Sequence, residues 1–200
     1  MEQLRHAELL HPKVSLWALD EHRLGLKPIL RPIWAPTGQP LTATVHPRYE
    51  WLYIYAFVNP ESGESRFYLV PVLNKDAYQA VMAAFAQSVG AGPEHHVLVV
   101  EDGGGFHVPA LQGHPVGIQT VTLPPYSPEL QPVERLWKLT DATLANQCFE
   151  SLDDLQTSSA RGLETSKEEG EIVSGNLAAH MSADRAERVE LWKHQMKRTV

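Results

Sequence analysis

Three acidic residues in this 200-residue chain stand at the ends of patterned segments. Asp20 closes Val14-Ser-Leu-Trp-Ala-Leu-Asp20, Asp102 closes His96-Val-Leu-Val-Val-Glu-Asp102, and Glu134 falls in the first turn of a helical pattern after Pro132. Carboxylates converging from neighbouring elements suit phosphodiester cleavage by two divalent ions about 4 Å apart, which activate an attacking water and stabilise the leaving oxygen. Hard oxygen donors favour Mg²⁺ or Mn²⁺. A plainer reading stands beside this one. An acid in a first helical turn suits the positive end of the helix dipole and the capping-box position, and acids near strand ends are common. Residue type alone leaves both open.

The elements that would position these acids are legible in the pattern. Val14, Leu16, Ala18 and Asp20 share one face of an extended segment, and Ser15, Trp17 and Leu19 share the other. Gly25 predicts a tight turn into a second extended segment, Ile29 to Trp34, followed by a turn at Pro36–Pro40 and a short strand from Leu41 to His46. Trp51–Val58, rich in aromatic and β-branched residues, is the strongest strand pattern, and Arg66–Val72 returns as its hairpin partner. Asn74 can cap a helix whose apolar stripe is Tyr78, Val81, Met82, Phe85 and Val89, with Gly90 to end it. His96–Asp102 has the continuous apolar character of a parallel strand buried on both faces, breaks into Gly103-Gly104-Gly105, and is followed by a last short strand from Val116 to Leu123. Pro124, Pro125, Pro128 and Pro132 exclude regular structure until Pro132 opens a helix with Val133, Leu136, Trp137, Thr140 and Leu144 on one stripe.

This order predicts an α/β fold, a mixed sheet of about five strands in which a β-meander is followed by parallel strands, flanked by helices. Ligands gather beyond the carboxyl ends of strands in such sheets. Residues 1–13 read as a lead-in or short helix. Residues 1–155 read as one domain, and 156–200, where apolar periodicity fades, as a weakly helical or partly disordered tail.

Composition sets further bounds. With 43% hydrophobic residues, the chain can build one substantial core. A net charge of −7 argues against a stand-alone nucleic-acid binder, but not against an enzyme that meets DNA through metal ions and a local basic patch. No apolar run is long enough to span a membrane and the first residues lack a signal-peptide order, so a soluble cytoplasmic protein is expected. Cys148 is the lone cysteine; it has no partner for an internal disulfide and reads as a small buried hydrophobe. His95 and His96 diverge from one strand and are not a metal pair, the three glycines read as a turn, and Trp17, Trp51 and Trp137 read as core.

Three stretches carry a resemblance: Asp20-Glu-His-Arg-Leu-Gly-Leu, then Val99-Val-Glu-Asp102-Gly-Gly-Gly-Phe-His107, then Leu123-Pro-Pro-Tyr-Ser-Pro-Glu-Leu-Gln-Pro-Val-Glu134-Arg-Leu-Trp137. In this order they resemble the DDE endonuclease domain of mariner-like bacterial insertion-sequence transposases, over residues 14 to 155. The resemblance implies an RNase H-like fold, a two-metal Mg²⁺ or Mn²⁺ site, nicking of DNA at insertion-sequence ends and joining of the freed 3′-hydroxyl to target DNA. By position Asp20, Asp102 and Glu134 match the catalytic acids and metal ligands. Glu21 and Glu101 are neighbours that face the other way. His107, Arg135 and Lys138 are candidates for DNA or phosphate contacts. Implied partners are DNA, as transposon ends and target, a homodimer mate, and a separate helix-turn-helix region, since none is visible in these residues. Where relatives have Gly-Trp-His, this chain has Gly105-Phe106-His107. Two other readings stay open: a catalytically silent remnant that keeps the fold as an interaction module, and an RNase H-like nuclease that is not a transposase.

Overall fold

A computed structural model of the chain describes residues 2–34, 36–38, 48–107, 113–124 and 131–168. The elements are α1 (Glu2–Leu10), β1 (Lys13–Gly25), β2 (Trp51–Val58), β3 (Ser65–Val70), α2 (Lys75–Val89), β4 (His95–Glu101), β5 (Ile118–Thr122), α3 (Glu134–Leu144) and α4 (Leu152–Glu168). The strands form one five-stranded sheet in the order β3-β2-β1-β4-β5. The first three make the expected antiparallel meander, and β4 and β5 join parallel to β1.

Strand alternation divides the core between the two faces of the sheet. On one face Trp17, Leu19, Tyr55, Phe57, Val97 and Val99 pack against the α2 stripe of Tyr78, Val81, Met82 and Phe85. The rings of Phe57 and Phe85 stack with centroids 3.8 Å apart, and burying each such ring contributes roughly 1.5–3 kcal/mol. Helix α2 begins where Asn74 accepts a hydrogen bond from the Ala77 amide, and it ends at Gly90, whose φ of 67° is the left-handed conformation of a helix C-cap. On the other face Ala18, Ile54, Ala56 and Val58 pack against Val133, Leu136, Trp137 and Leu144, with Leu155 and Leu163 of α4. Helix α1 covers Leu16, Leu98 and Val100 through Leu4 and Ala7.

The structure departs from several expectations. Strand β1 does not end at Asp20; pairing with β2 carries it on to Gly25, so the acid lies within the strand. Ile29–Trp34 forms no strand. Its backbone is fastened instead to Asn146, whose amide donates to the Ile29 carbonyl and whose side chain bonds both the amide and the carbonyl of Arg31. Trp51 is half-buried rather than core, with the Arg23 guanidinium 4.3 Å above its ring. Cys148 is exposed. Helix α4 runs through residue 155, where the tail was expected to begin, and Leu155, Ser159 and Leu163 are buried at four-residue spacing. Ser159 hides this stripe from a hydrophobicity pattern; its hydroxyl is satisfied by the Leu155 carbonyl at 2.7 Å. The expected strand at Leu41–His46 and the helical pattern from Asp184 to Lys197 lie outside the described residues.

Candidate active site

The β1–β4 register places Leu16 opposite Leu98 and Ala18 opposite Val100. Two residues further along each strand, on the same face by alternation, come Asp20 and Asp102. They are close enough for the Asp102 charge to act on Asp20, whose carboxyl is pushed up to about 6. Burial is the main cause, with repulsion from Glu21 and then Asp102 adding to it, and a hydrogen bond from Trp137 opposing it. Asp102 lies one residue past β4 with a side chain 61% exposed, and its Oδ1 accepts the Gly104 amide at 2.9 Å.

Helix α3 is fastened along β1. The buried Gln131 side chain donates to the Leu19 carbonyl at 2.7 Å, Trp137 Nε1 donates to Asp20 Oδ2 at 2.7 Å, and Asp141 meets His22 Nε2 at 2.8 Å. The two rungs within the helix, at Trp137 and Asp141, are geometrically matched to Asp20 and His22, because four helical residues advance about 6 Å and two strand residues about 6.6 Å. Glu134 is the first residue of α3 and is exposed, one turn before the residue that holds Asp20. No capping box forms around it, since the N-cap position is Val133, in helical conformation with no side-chain cap bond. Lys138 is exposed one turn after Glu134, and its carbonyl accepts Arg31 Nη2 at 3.3 Å. The side chain of Arg135 lies outside the described residues.

Beneath this surface, on the α2 face, His107 joins Glu21, Glu101 and Tyr78 in a group whose association the sequence patterns did not indicate. His107 Nδ1 donates to the Asp102 carbonyl at 2.8 Å, and its Nε2 donates to Glu21 Oε1 at 3.1 Å. Glu101 Oε2 is 3.8 Å from Nδ1 and accepts the Tyr78 hydroxyl at 2.7 Å. His107, Glu21 and Glu101 have side chains only 8%, 9% and 3% exposed. Burial alone would lower the imidazole, but the hydrogen bond and charge of Glu21, then the charge of Glu101, outweigh it and hold His107 at about 9. Burial raises both glutamates, and His107 opposes the rise. His107 is therefore engaged within the protein at both nitrogens, and a direct phosphate contact would break one of those bonds. The advance signs were His107 itself, expected as a DNA or phosphate contact, and the adjacency of Glu21 and Glu101 to the two aspartates.

Among the described residues, the donor atoms that converge within 4.8 Å of one another belong to Glu21, Asp102 and His107, not to Asp20, Asp102 and Glu134. An imidazolium offers no lone pair to a metal, so the first trio is a hydrogen-bonded cluster while His107 carries both protons. The second is an all-oxygen set, in which the Asp102 charge adds a minor part to the burial-driven rise of Asp20, and its donor chemistry suits hard divalent cations. His95 and His96 have separate partners: His95 bonds Ser15 and the Val89 carbonyl, and His96 bonds Gln119.

A family model described as DDE superfamily endonuclease matches residues 15–156. The chain belongs to this family. This DDE-family chain is 35% identical over 108 residues to the uncharacterized protein y4pE/y4sA of Sinorhizobium fredii (strain NBRC 101917 / NGR234), covering 54% of this chain and 78% of that protein. Its fold is similar to the mariner Mos1 paired end complex with Mg, with a TM-score of 0.56 and 17% identity over 90% of this chain and 53% of that one. It is also similar to a pre-cleavage Mos1 transpososome, with a TM-score of 0.52 and 16% identity over 88% of this chain and 58% of that one. At such identity the likeness is one of fold, and it agrees with the RNase H-like arrangement of a mixed five-stranded sheet between helices. The chain spans little more than half the length of the Mos1 chains. No helix among the described residues is long and apolar enough to cross a membrane.

Proposed function

We propose that this DDE-family chain is the catalytic domain of an insertion-sequence transposase, cutting DNA at the element's ends and joining the freed 3′-hydroxyl to target DNA in the cytoplasm. The observation that carries the reading is the placement of Asp20 and Asp102 on one face of adjoining parallel strands, with the first turn of α3 fastened beside Asp20 by Trp137. Asp20, Asp102 and Glu134 are the residues that would hold the cations. Divalent ions bound there supply charge stabilisation at the scissile phosphate and an activated attacking oxygen. The protein's own part is to hold one Asp20 oxygen on Trp137 and one Asp102 oxygen on Gly104, so that each carboxylate presents its other oxygen in a set direction. The similar Mos1 complexes hold Mg, Mn and a transposon end, which supports Mg²⁺ or Mn²⁺ as cofactor and DNA as partner here; a homodimer mate and a separate helix-turn-helix region are further partners proposed from the sequence resemblance alone. Lys138, one turn from Glu134, is placed to meet a phosphate.

Nicking of labelled duplex carrying the element's terminal repeat, measured with Mg²⁺ or Mn²⁺ and with chelator, tests this. Cleavage should need the metal and disappear in Asp102→Asn. Metal-dependent cleavage that persists in that variant would remove the assignment of roles.

A further inference from the structure

Backbone pairing does not set the distance between the two aspartates. The parallel β1–β4 ladder runs from Lys13↔His95 to Ala18↔Val100 and stops. Beyond it the backbone of β1 pairs with β2, out to Gly25↔Trp51, and that of β4 with β5, at Glu101↔Thr122. Asp20 and Asp102 therefore lie beyond the last paired residues of the two strands, and their carboxylates repel.

Among the described residues, His107 links the two strands beyond that point. His107 reaches β1 through Glu21, the residue after Asp20, at 3.1 Å. It reaches the end of β4 through the carbonyl of Asp102 itself at 2.8 Å. Both partners are acceptors, so both ring nitrogens donate. The ring is fixed from its sides by Tyr78 and Phe106, with centroids 4.9 Å and 4.6 Å away. Its loop is also closed on itself, the His107 amide donating to the Gly104 carbonyl at 3.0 Å and the Gly104 amide to Asp102 Oδ1. A Cβ on Gly104 would sit 3.1 Å from His107 Cε1 and 3.2 Å from Asp102 Oδ1, so a side chain there would press on both ends of the closed loop.

We propose that His107 is a positioning residue: it staples β1 to β4 where their ladder has ended, and so sets the spacing of Asp20 and Asp102 before a cation arrives. The inference rests on the reading of those two aspartates as metal ligands. It gives a role to Glu21, whose carboxylate is the β1 end of the staple, and to Glu101 and Tyr78, which tie the ring to α2.

The sign of one effect separates positioning from simple electrostatics. Removing a positive charge from beneath a cation site strengthens cation binding by Coulomb's law, whereas loosening the staple weakens it. The test is Mn²⁺ titration of the full 200-residue chain by calorimetry, with circular dichroism to establish folding. His107→Gln, which cannot reach both partners, should weaken Mn²⁺ binding about tenfold, the lower end of what outer partners of metal ligands contribute. Glu21→Asp keeps the charge but shortens the reach by one methylene, and should weaken binding similarly. The double variant should be no weaker than either single one, because both break the same bridge. Binding in His107→Gln as tight as wild type or tighter overturns the staple. Should that variant fail to fold, wild-type affinity in Glu21→Asp does the same. Asp102→Asn distinguishes the underlying assumption: Mn²⁺ binding that survives it removes the ligand assignment and the staple with it.

Discussion

At the scale of single residues, Asp20 carries the electrostatic tension of the site. Its folded carboxyl is pushed up to about 6 from an ordinary value of 3.8, by burial first and then by its acidic neighbours. The folded protein thus binds this proton more tightly than the unfolded chain does. Stability falls as pH rises through the window between those two values, and above it the ionised carboxylate destabilises the fold in full. Asp20→Asn should therefore make the metal-free protein more stable at pH 8 by about 1–3 kcal/mol, with the difference vanishing below about pH 4, while abolishing nicking. Urea unfolding in chelator at several pH values measures this, and a variant less stable than wild type at pH 8 would contradict it. The identity of the three acids was readable as residue type, order and spacing. The participation of Glu21 and Glu101 was not, because each faces away from the adjacent aspartate and becomes relevant only through His107, distant in sequence from Glu21.

At the scale of elements, the decisive pairing is α3 with β1. The apolar stripe of α3 was visible as a period and is buried as such, yet the same stripe contains the residue that holds Asp20. An indole at Trp137 reads as core in a sequence because its large apolar area dominates; its one N–H matters only once the strand beside it is known. Trp137→Phe keeps most of the packing and removes that donor. Since hydrogen bonds to charged groups contribute about 1.5–3 kcal/mol, the variant should lose stability of that order at pH 8 in denaturant titrations. It should also carry Asp20 to a still higher pKa, followed by the carboxyl carbon resonance in NMR. An unchanged Asp20 titration would show that the bond is not formed in solution.

For the molecule as a whole, the five-stranded sheet divides two tasks between its faces. Asp20 lies on the face covered by α3 and α4, while the cluster around His107 lies on the face covered by α2. The first face is completed by Leu155 and Leu163 of α4, so the fold extends past the point where the sequence loses its apolar period. Leu163→Ala should lower stability by about 2–5 kcal/mol, as truncation of a buried leucine does, measured by the shift in denaturation midpoint. A shift near zero would mean that this turn of α4 does not pack on the sheet.

The sequence by itself determined the meander, the capped helix from Lys75 to Val89, the buried parallel strand of Val97 to Val100 and the order of the three acids, because periodicity and local capping chemistry act over a few residues. Only the tertiary structure decided that β1 continues to Gly25 past Asp20, that its ladder with β4 stops at Ala18↔Val100, and that His107 bridges the strands beyond that point. Those features depend on which strand lies alongside and where its pairing ends. They are set in large part by contacts between residues far apart in the chain, from Gly25↔Trp51 to Ala18↔Val100 and Glu21 with His107, which no local pattern encodes.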